Sequence, residues 1–102
     1  SLIDYDTTLR SYMEQVDTIK QSIRQSLRQL RTTQQTYEIQ KNSVELAQRR
    51  VSSTQKLLDA GRADTRDVLD SQDALVTAQN ALSQALVAHR IARLEYQAGY
   101  RG

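Results

Sequence analysis

The sequence contains no cysteine, proline, tryptophan or phenylalanine, and only three glycines and five tyrosines. The absence of cysteine excludes disulfides, thiolate metal sites and a cysteine nucleophile. The few aromatic residues and thirteen glutamines make the chain too polar for a globular core, and they favour long helices with narrow apolar faces. Because two glycines lie at the very end, Gly61 is the one strong helix breaker in the body of the chain.

The charge pattern excludes several classes of function. The 14 basic and 12 acidic residues leave a net charge of +2, and the two signs are interleaved, so no nucleic-acid footprint is present. No apolar run approaches the roughly 20 residues of a membrane-spanning helix. With one histidine and no glycine-rich phosphate loop, we expect neither an enzyme nor a cofactor site. The chain begins at Ser1 with no signal-like segment, so we expect a mature or excised piece of a larger protein.

The first helix, predicted over about residues 2–60, carries a seven-residue repeat without exception. Nine apolar residues occupy it: Leu2, Leu9, Val16, Ile23, Leu30, Tyr37, Val44, Val51 and Leu58. Such a repeat indicates a long coiled-coil helix that packs on a partner along its whole length.

A second row of positions, three residues further along, begins apolar and then becomes small and polar. Its members are Tyr5, Tyr12, Ile19, Ser26, Thr33, Gln40, Ala47 and Thr54. Since a stable dimer favours apolar residues in both rows, we infer that the polar part contacts water or a polar partner.

A tight turn is predicted at residues 61–64. Gly61 can adopt the left-handed conformation that ends a helix. Asp64 is a good N-cap for a second helix, and Asp67 is its third helical residue. So short a connection makes the two helices antiparallel neighbours. The predicted fold is therefore all-α: residues 1–102 form one long antiparallel helical hairpin, a fragment of a larger protein.

The second helix, predicted over about residues 65–97, is apolar on more than one side. Its seven-residue repeat is Val68, Leu75, Leu82, His89 and Tyr96, and two rows of alanine flank it: Ala74, Ala81, Ala88 and Ala78, Ala85, Ala92. Small residues let neighbouring backbones approach closely, so we expect lateral assembly. Folding back from Gly61 brings Tyr96 near Leu27, which leaves roughly the first 25 residues without a partner in the chain. They fray, or pack on another copy or on other segments.

Three polar features are candidate sites. His89 lies on the apolar repeat, and a partly buried interface histidine is the favoured interpretation, since a metal site needs several converging ligands. A basic row, Lys20, Arg24, Arg28 and Arg31, is mainly a solvated face, with phosphate or lipid contact as the alternative. Lys41, Arg49 and Arg50 have the same interpretation.

The acidic set Asp64, Asp67, Asp70 and Asp73 stabilises the start of the second helix. Residues spaced three apart along a helix point in progressively different directions. The four carboxylates therefore cannot converge on one metal ion. Asp67 and Asp70, however, share one face. Repeated around a symmetric oligomer, that face would form a ring of carboxylates that binds cations or filters by charge.

The run from Gly61 to Leu82, GRADTRDVLDSQDALVTAQNAL, resembles the periplasmic hairpin of TolC-type outer-membrane efflux proteins. That family has a glycine tip, a few polar residues, Asp-Val-Leu-Asp or a close variant, and then evenly spaced leucine and alanine. Ile23-Arg24 with Leu27, residues 39–51 and residues 92–96 also resemble family sequence. The similarity covers nearly the whole chain in one register.

The resemblance implies a stave, that is, one helical hairpin in the wall of a periplasmic α-helical barrel. In the full-length protein this barrel belongs to a homotrimeric outer-membrane channel of a tripartite efflux pump or type I secretion system. The implied location is the periplasm. By resemblance, Ala60, Gly61 and Arg62 match the tip that docks to the periplasmic adaptor protein and, through it, to an inner-membrane transporter. Asp67 and Asp70 match the acidic ring of the channel entrance.

The chain departs from the family in two respects. It has Arg62 where the family usually has a small residue, and it has no β-strand pattern, second repeat or lipidation site. Alone it is therefore expected to be one hairpin rather than a channel. Two alternatives remain: the coiled-coil hairpin of a periplasmic adaptor, which also has a docking tip, and a plain dimerising coiled coil.

Overall fold

The computed structural model describes the backbone of residues 1–101 and the side chains of residues 1–99. It contains two helices, α1 (Leu2–Asp59) and α2 (Thr65–Arg101), which pack against each other as a hairpin 89 Å long and 17 by 14 Å across. The all-α hairpin predicted from the sequence is confirmed. None of the described helices has a stretch apolar enough to cross a bilayer.

The two helices pack through their seven-residue repeats. The most buried apolar side chains are Val44 of α1 and Val68, Ala85 and Ala92 of α2. From Ile23 onward, every apolar repeat position of α1 is buried or half-buried, whereas the residues between them are mostly exposed. Because one narrow face of each helix is covered, the core is a strip along the hairpin rather than a globular interior.

An interhelical hydrogen bond, between Thr33 Oγ1 and His89 Nδ1 at 3.2 Å, fixes the register of the hairpin. Steps of seven residues from this pair place Leu75 level with Ala47 and Val68 level with Thr54. The positions between them place large side chains of α1 level with small ones of α2: Leu30 with Ala92, Tyr37 with Ala85, Val44 with Ala78, and Val51 with Ser71. Large residues of one helix are thus matched to small residues of the other, which allows close packing.

The polar row of α1, expected to contact water or a polar partner, lies along the second helix, and one of its members, Thr33, does meet a polar partner in His89. Its members from the middle of the helix onward are half-buried in the hairpin: Ser26, Thr33, Gln40, Ala47 and Thr54. They lie level with the large repeat residues of α2, whose bulk leaves room only for small or extended side chains on α1. The row is therefore part of the interface between the helices.

The two alanine rows of α2 have different environments. Ala85 and Ala92 are buried and Ala78 is half-buried, so this row belongs to the hairpin interface. In the other row, Ala74 and Ala81 are half-buried and Ala88 is exposed. The outer side of α2 also exposes large apolar residues, between 50% and 65% accessible: Leu69, Val76, Val87, Ile91 and Leu94. The second helix therefore has an uncovered apolar side in the single chain.

The helices differ in length, as expected, but the unpaired part of α1 is shorter than predicted. The second helix continues through Gly99 to Arg101, four residues beyond its predicted end. The register places Arg101 level with Gln21, so α2 covers no residue before it. We call residues 2–20 the overhang. It is helical from Leu2, and it extends about 28 Å beyond α2.

Candidate docking tip

The tip of the hairpin is closed by a pair of backbone hydrogen bonds that end α1. Gly61 N donates to the Leu58 carbonyl at 2.9 Å, and Arg62 N donates to the Leu57 carbonyl at 2.8 Å. Gly61 has φ +74°, the left-handed conformation expected from the sequence. Together these features form a Schellman motif, in which two otherwise unpaired carbonyls of the last turn gain donors. The tip is therefore a defined turn, not a loose loop.

Two acidic residues stabilise the start of α2: Asp64, which directly precedes the helix, and Asp67, its third residue. The Asp64 carbonyl accepts from the backbone N–H of Asp67 at 3.0 Å, and the Asp67 carboxylate Oδ2 accepts from Asp64 N at 3.1 Å. The second bond is the reach-back half of a capping box, with aspartate in the place of glutamate. The predicted capping positions of both residues are confirmed, and Asp67 has a structural role whatever else it does.

The three predicted docking residues, Ala60, Gly61 and Arg62, are all exposed at the far end of the hairpin. A Cβ placed on Gly61 would meet nothing within 4 Å, so the space around the turn is open. Within the described side chains, the only ion pair joins the terminal amine to Asp4, 3.7 Å away. The guanidinium of Arg62 thus has no carboxylate partner among them and is available to another molecule.

Asp67 and Asp70 are both exposed and lie three residues apart on α2. Asp70 has no hydrogen bond or ion pair to the part of the chain that the structure describes, whereas Asp67 makes the capping bond to Asp64. The described residues include no group of three or more acidic, histidine or cysteine side chains arranged to hold a metal. Within one chain the pair is an exposed acidic patch beside the tip. A ring requires other copies.

The remaining polar candidates lie away from the tip. Lys20, Arg24, Arg28 and Arg31 are exposed and have no carboxylate partners among residues 1–99, in agreement with a solvated face. His89 is a half-buried interface residue, as predicted. Its hydrogen-bond partner, Thr33, was not predicted from the sequence. Thr33 and His89 are equally distant from Gly61 along the chain, and this equal separation is the signal that could have identified the pair.

Comparisons with known proteins do not assign the chain. No protein-family model, curated protein or solved structure matches it.

Proposed function

We propose that this hairpin is a stave in the periplasmic α-helical barrel of a trimeric outer-membrane channel, and that its tip docks to a periplasmic adaptor protein. The channel belongs to a tripartite efflux pump or a type I secretion system. Transport through it is passive, and the chain performs no catalysis. The observation that carries the proposal is the tip: the residues that resemble the family's docking motif are presented together, exposed, at the end of an 89 Å rod.

The form of the tip supports docking. Its backbone is held by the two hydrogen bonds from Gly61 and Arg62, so a partner meets an ordered surface and loses little conformational entropy on binding. The side chain of Arg62 takes no part in those backbone bonds and has no ion pair within the described residues. Arg62 can therefore supply a charge-assisted hydrogen bond to a carboxylate or carbonyl of the adaptor.

The uncovered apolar side of α2 supports the proposal that the hairpin lies in the wall of an α-helical barrel. Val87, Ala88 and Ile91 line one shallow groove with Ser83 and Gln84, on the side of α2 away from its buried row. A stave has neighbours on two sides, and α1 covers only one side of α2. Exposed apolar patches of this kind mark contact surfaces in soluble chains. The adaptor and dimer alternatives give no specific reason for them.

The acidic pair would lie just inside the entrance. If hairpin tips surround a common axis, each contributes Asp67 and Asp70 to a ring of carboxylates. In this arrangement Asp67 serves two purposes, because one carboxylate oxygen accepts from Asp64 N and the exposed side chain also contributes to the ring.

The docking proposal is tested by a pull-down of the hairpin with the α-hairpin of a periplasmic adaptor. Arg62→Glu reverses the charge of an exposed side chain and leaves the backbone bonds of the turn in place, so we expect it to abolish binding. Gly61→Trp should also abolish binding, by filling the open space at the turn. Leu46→Glu and Leu46→Trp are the matched controls, because Leu46 is 64% exposed and far from the tip.

The outcomes separate the alternatives. Tip-dependent binding to the adaptor hairpin supports the channel stave. Binding to the tip of an outer-membrane channel instead identifies an adaptor hairpin. Binding to neither leaves the plain coiled coil.

The entrance ring is tested in an assembled trimeric channel that contains this hairpin. Asp67→Asn with Asp70→Asn removes both charges, while the amide introduced at position 67 keeps an oxygen that can accept from Asp64 N. We expect weaker block of single-channel conductance by divalent cations. Unchanged block would mean that both residues act only at the start of the helix.

A further inference from the structure

Both helices contribute to one cluster of positive charge on the surface of the hairpin. Between Asp17 and Glu38, α1 has four basic residues and no acidic one. The register places this stretch beside the part of α2 that begins at Ala85, where two arginines and a single glutamate follow up to Gly99. The basic residues of this region are all exposed, and we call them the basic cluster: Lys20, Arg24, Arg28, Arg31, Arg90 and Arg93.

The arginines of the two helices lie on the same side of the hairpin. In an antiparallel pair, residues four places after the apolar repeat of one helix face those four places after the repeat of the other. Leu27 on α1 and Arg93 on α2 are such residues, and the register places them two residues apart along the rod. Arg24, Arg31 and Arg90 each directly follow a repeat residue, so they border the same side.

The one acidic residue of this region is on the opposite side. Glu95 follows Ala88 by seven residues, so it continues the half-buried to exposed alanine row of α2. On the side of the cluster, acidic residues border it at Asp17 and Glu38, and neither forms an ion pair within the described residues. The guanidinium groups of the cluster therefore have no carboxylate partner there and are available to another molecule.

An exposed apolar side chain adjoins the cluster. Leu94 is 65% exposed and lines a shallow groove with Arg90, Arg93 and Gln97. A partner that fits this surface needs apolar groups as well as negative charge, and a phosphate polymer has no apolar groups. Guanidinium groups bind carboxylates through paired hydrogen bonds, so an acidic segment of a protein meets both needs.

The charges that border the cluster limit the size of the partner. Asp17 and Glu38 follow the apolar repeat in the same way as Arg24 and Arg31, so they lie in line with them on α1. They are about 32 Å apart, and the cluster extends about 17 Å from Lys20 to Arg31. A flat anionic membrane would bring its phosphates against both carboxylates. An extended segment of about five residues spans the cluster without reaching them.

We propose that the basic cluster and Leu94 form a docking surface for a short acidic segment of another protein. Carboxylates of the segment bind the arginines of both helices, and an apolar side chain packs on Leu94. This surface is separate from the docking tip, since Arg31 and Gly61 are about 45 Å apart along the rod. The inference goes beyond the proposed function and does not depend on it.

Fluorescence anisotropy with a short labelled peptide of glutamate and leucine tests the proposal. We expect saturable binding that weakens as salt is raised, because the arginines are exposed. Replacing glutamate by glutamine in the peptide should abolish binding, and replacing leucine by serine should weaken it. Arg24→Gln with Arg93→Gln removes one charge from each helix and should weaken binding about tenfold. Circular dichroism of each variant checks that the hairpin still folds.

Matched variants outside the cluster separate docking from a general effect of charge. Arg49→Gln with Arg50→Gln removes the same charge from exposed positions about 27 Å from Arg31, well beyond the Debye length, so binding should change by less than about twofold. Leu94→Gln should weaken binding about threefold by removing apolar contact. Val76→Gln, at a position 54% exposed on the same helix, should not change it.

Five results would overturn the proposal: no binding of the peptide, equal weakening by the Arg49 and Arg50 pair, equal binding of the serine peptide, tighter binding of polyphosphate or of phosphatidylglycerol vesicles than of the peptide, or loss of peptide binding with Arg62→Glu. We expect Arg62→Glu to leave binding of the peptide unchanged while it abolishes docking of the tip. Failure of this proposal and failure of adaptor docking are therefore distinguishable.

Discussion

Thr33 and His89 form a hydrogen bond between side chains of α1 and α2, with Thr33 Oγ1 and His89 Nδ1 3.2 Å apart. Thr33 Oγ1 also lies 2.9 Å from the Gln29 carbonyl. A hydroxyl has one hydrogen, so all three groups are satisfied when Thr33 donates to Gln29 and accepts from the N–H of His89 Nδ1. A polar pair in an otherwise apolar or small-residue interface favours one register over others.

The first prediction concerns this pair. Thr33→Val leaves His89 without its hydroxyl partner in a half-buried position, so we expect a loss of about 0.5–1.5 kcal/mol in the free energy of unfolding. His89→Leu should be close to neutral, because a leucine fits the apolar repeat, and Thr33→Val in that background should cost little. A double-mutant cycle by urea unfolding measures the coupling. Thr32→Val, at the exposed neighbouring position, is the control, and an equal loss there would contradict the prediction.

The second prediction compares Gly61 with Gly99. A Cβ at either position meets no atom within 4 Å, so the backbone alone decides the effect of alanine. Gly61 has φ +74°, where alanine costs about 1–2 kcal/mol. Gly99 lies within α2, where alanine should stabilise by less than about 1 kcal/mol. Thermal unfolding followed by circular dichroism should therefore give shifts of opposite sign. Two shifts of the same sign would exclude the left-handed turn at Gly61.

The third prediction concerns the two alanine rows of α2. Ala92 is 2% exposed and level with Leu30, so Ala92→Leu forces the helices apart and should cost about 1–3 kcal/mol. Ala88→Leu, on the exposed row of the same helix, should change the unfolding free energy by less than about 0.5 kcal/mol. Chemical denaturation of both variants measures the difference. If Ala88→Leu proved the more damaging, the register of the hairpin would be wrong.

The fourth prediction separates the two acidic residues at the start of α2. Asp67→Ala removes the acceptor for Asp64 N and should cost about 1 kcal/mol, as the loss of a helix cap does. Asp70→Ala removes an exposed side chain without a hydrogen bond and should fall within about 0.5 kcal/mol of the parent. Asp67→Asn should recover most of the loss. Equal effects of the two alanine variants would argue against the capping bond.

Much of the hairpin could be predicted because its determinants are local. One glycine in a chain without proline fixed the place of the turn, and Asp64 and Asp67 marked the start of α2 before any contact was known. The positive φ of Gly61 and the two N-terminal capping residues agree with this interpretation. The end of α2 was less predictable, because Gly99 weakens a helix without forbidding it.

The sequence by itself determined two helices, their apolar repeats and the tight turn between them, since backbone preference and residue spacing suffice for each. The tertiary structure decided which side of each helix is covered. Only the packed register showed that Thr33 meets His89, that the polar row of α1 belongs to the interface, and that Ala85 and Ala92 are buried while Ala88 is not. The physical reason is complementarity of size: whether a small or polar residue faces water or a large side chain depends on what stands opposite it, and that neighbour is distant in sequence.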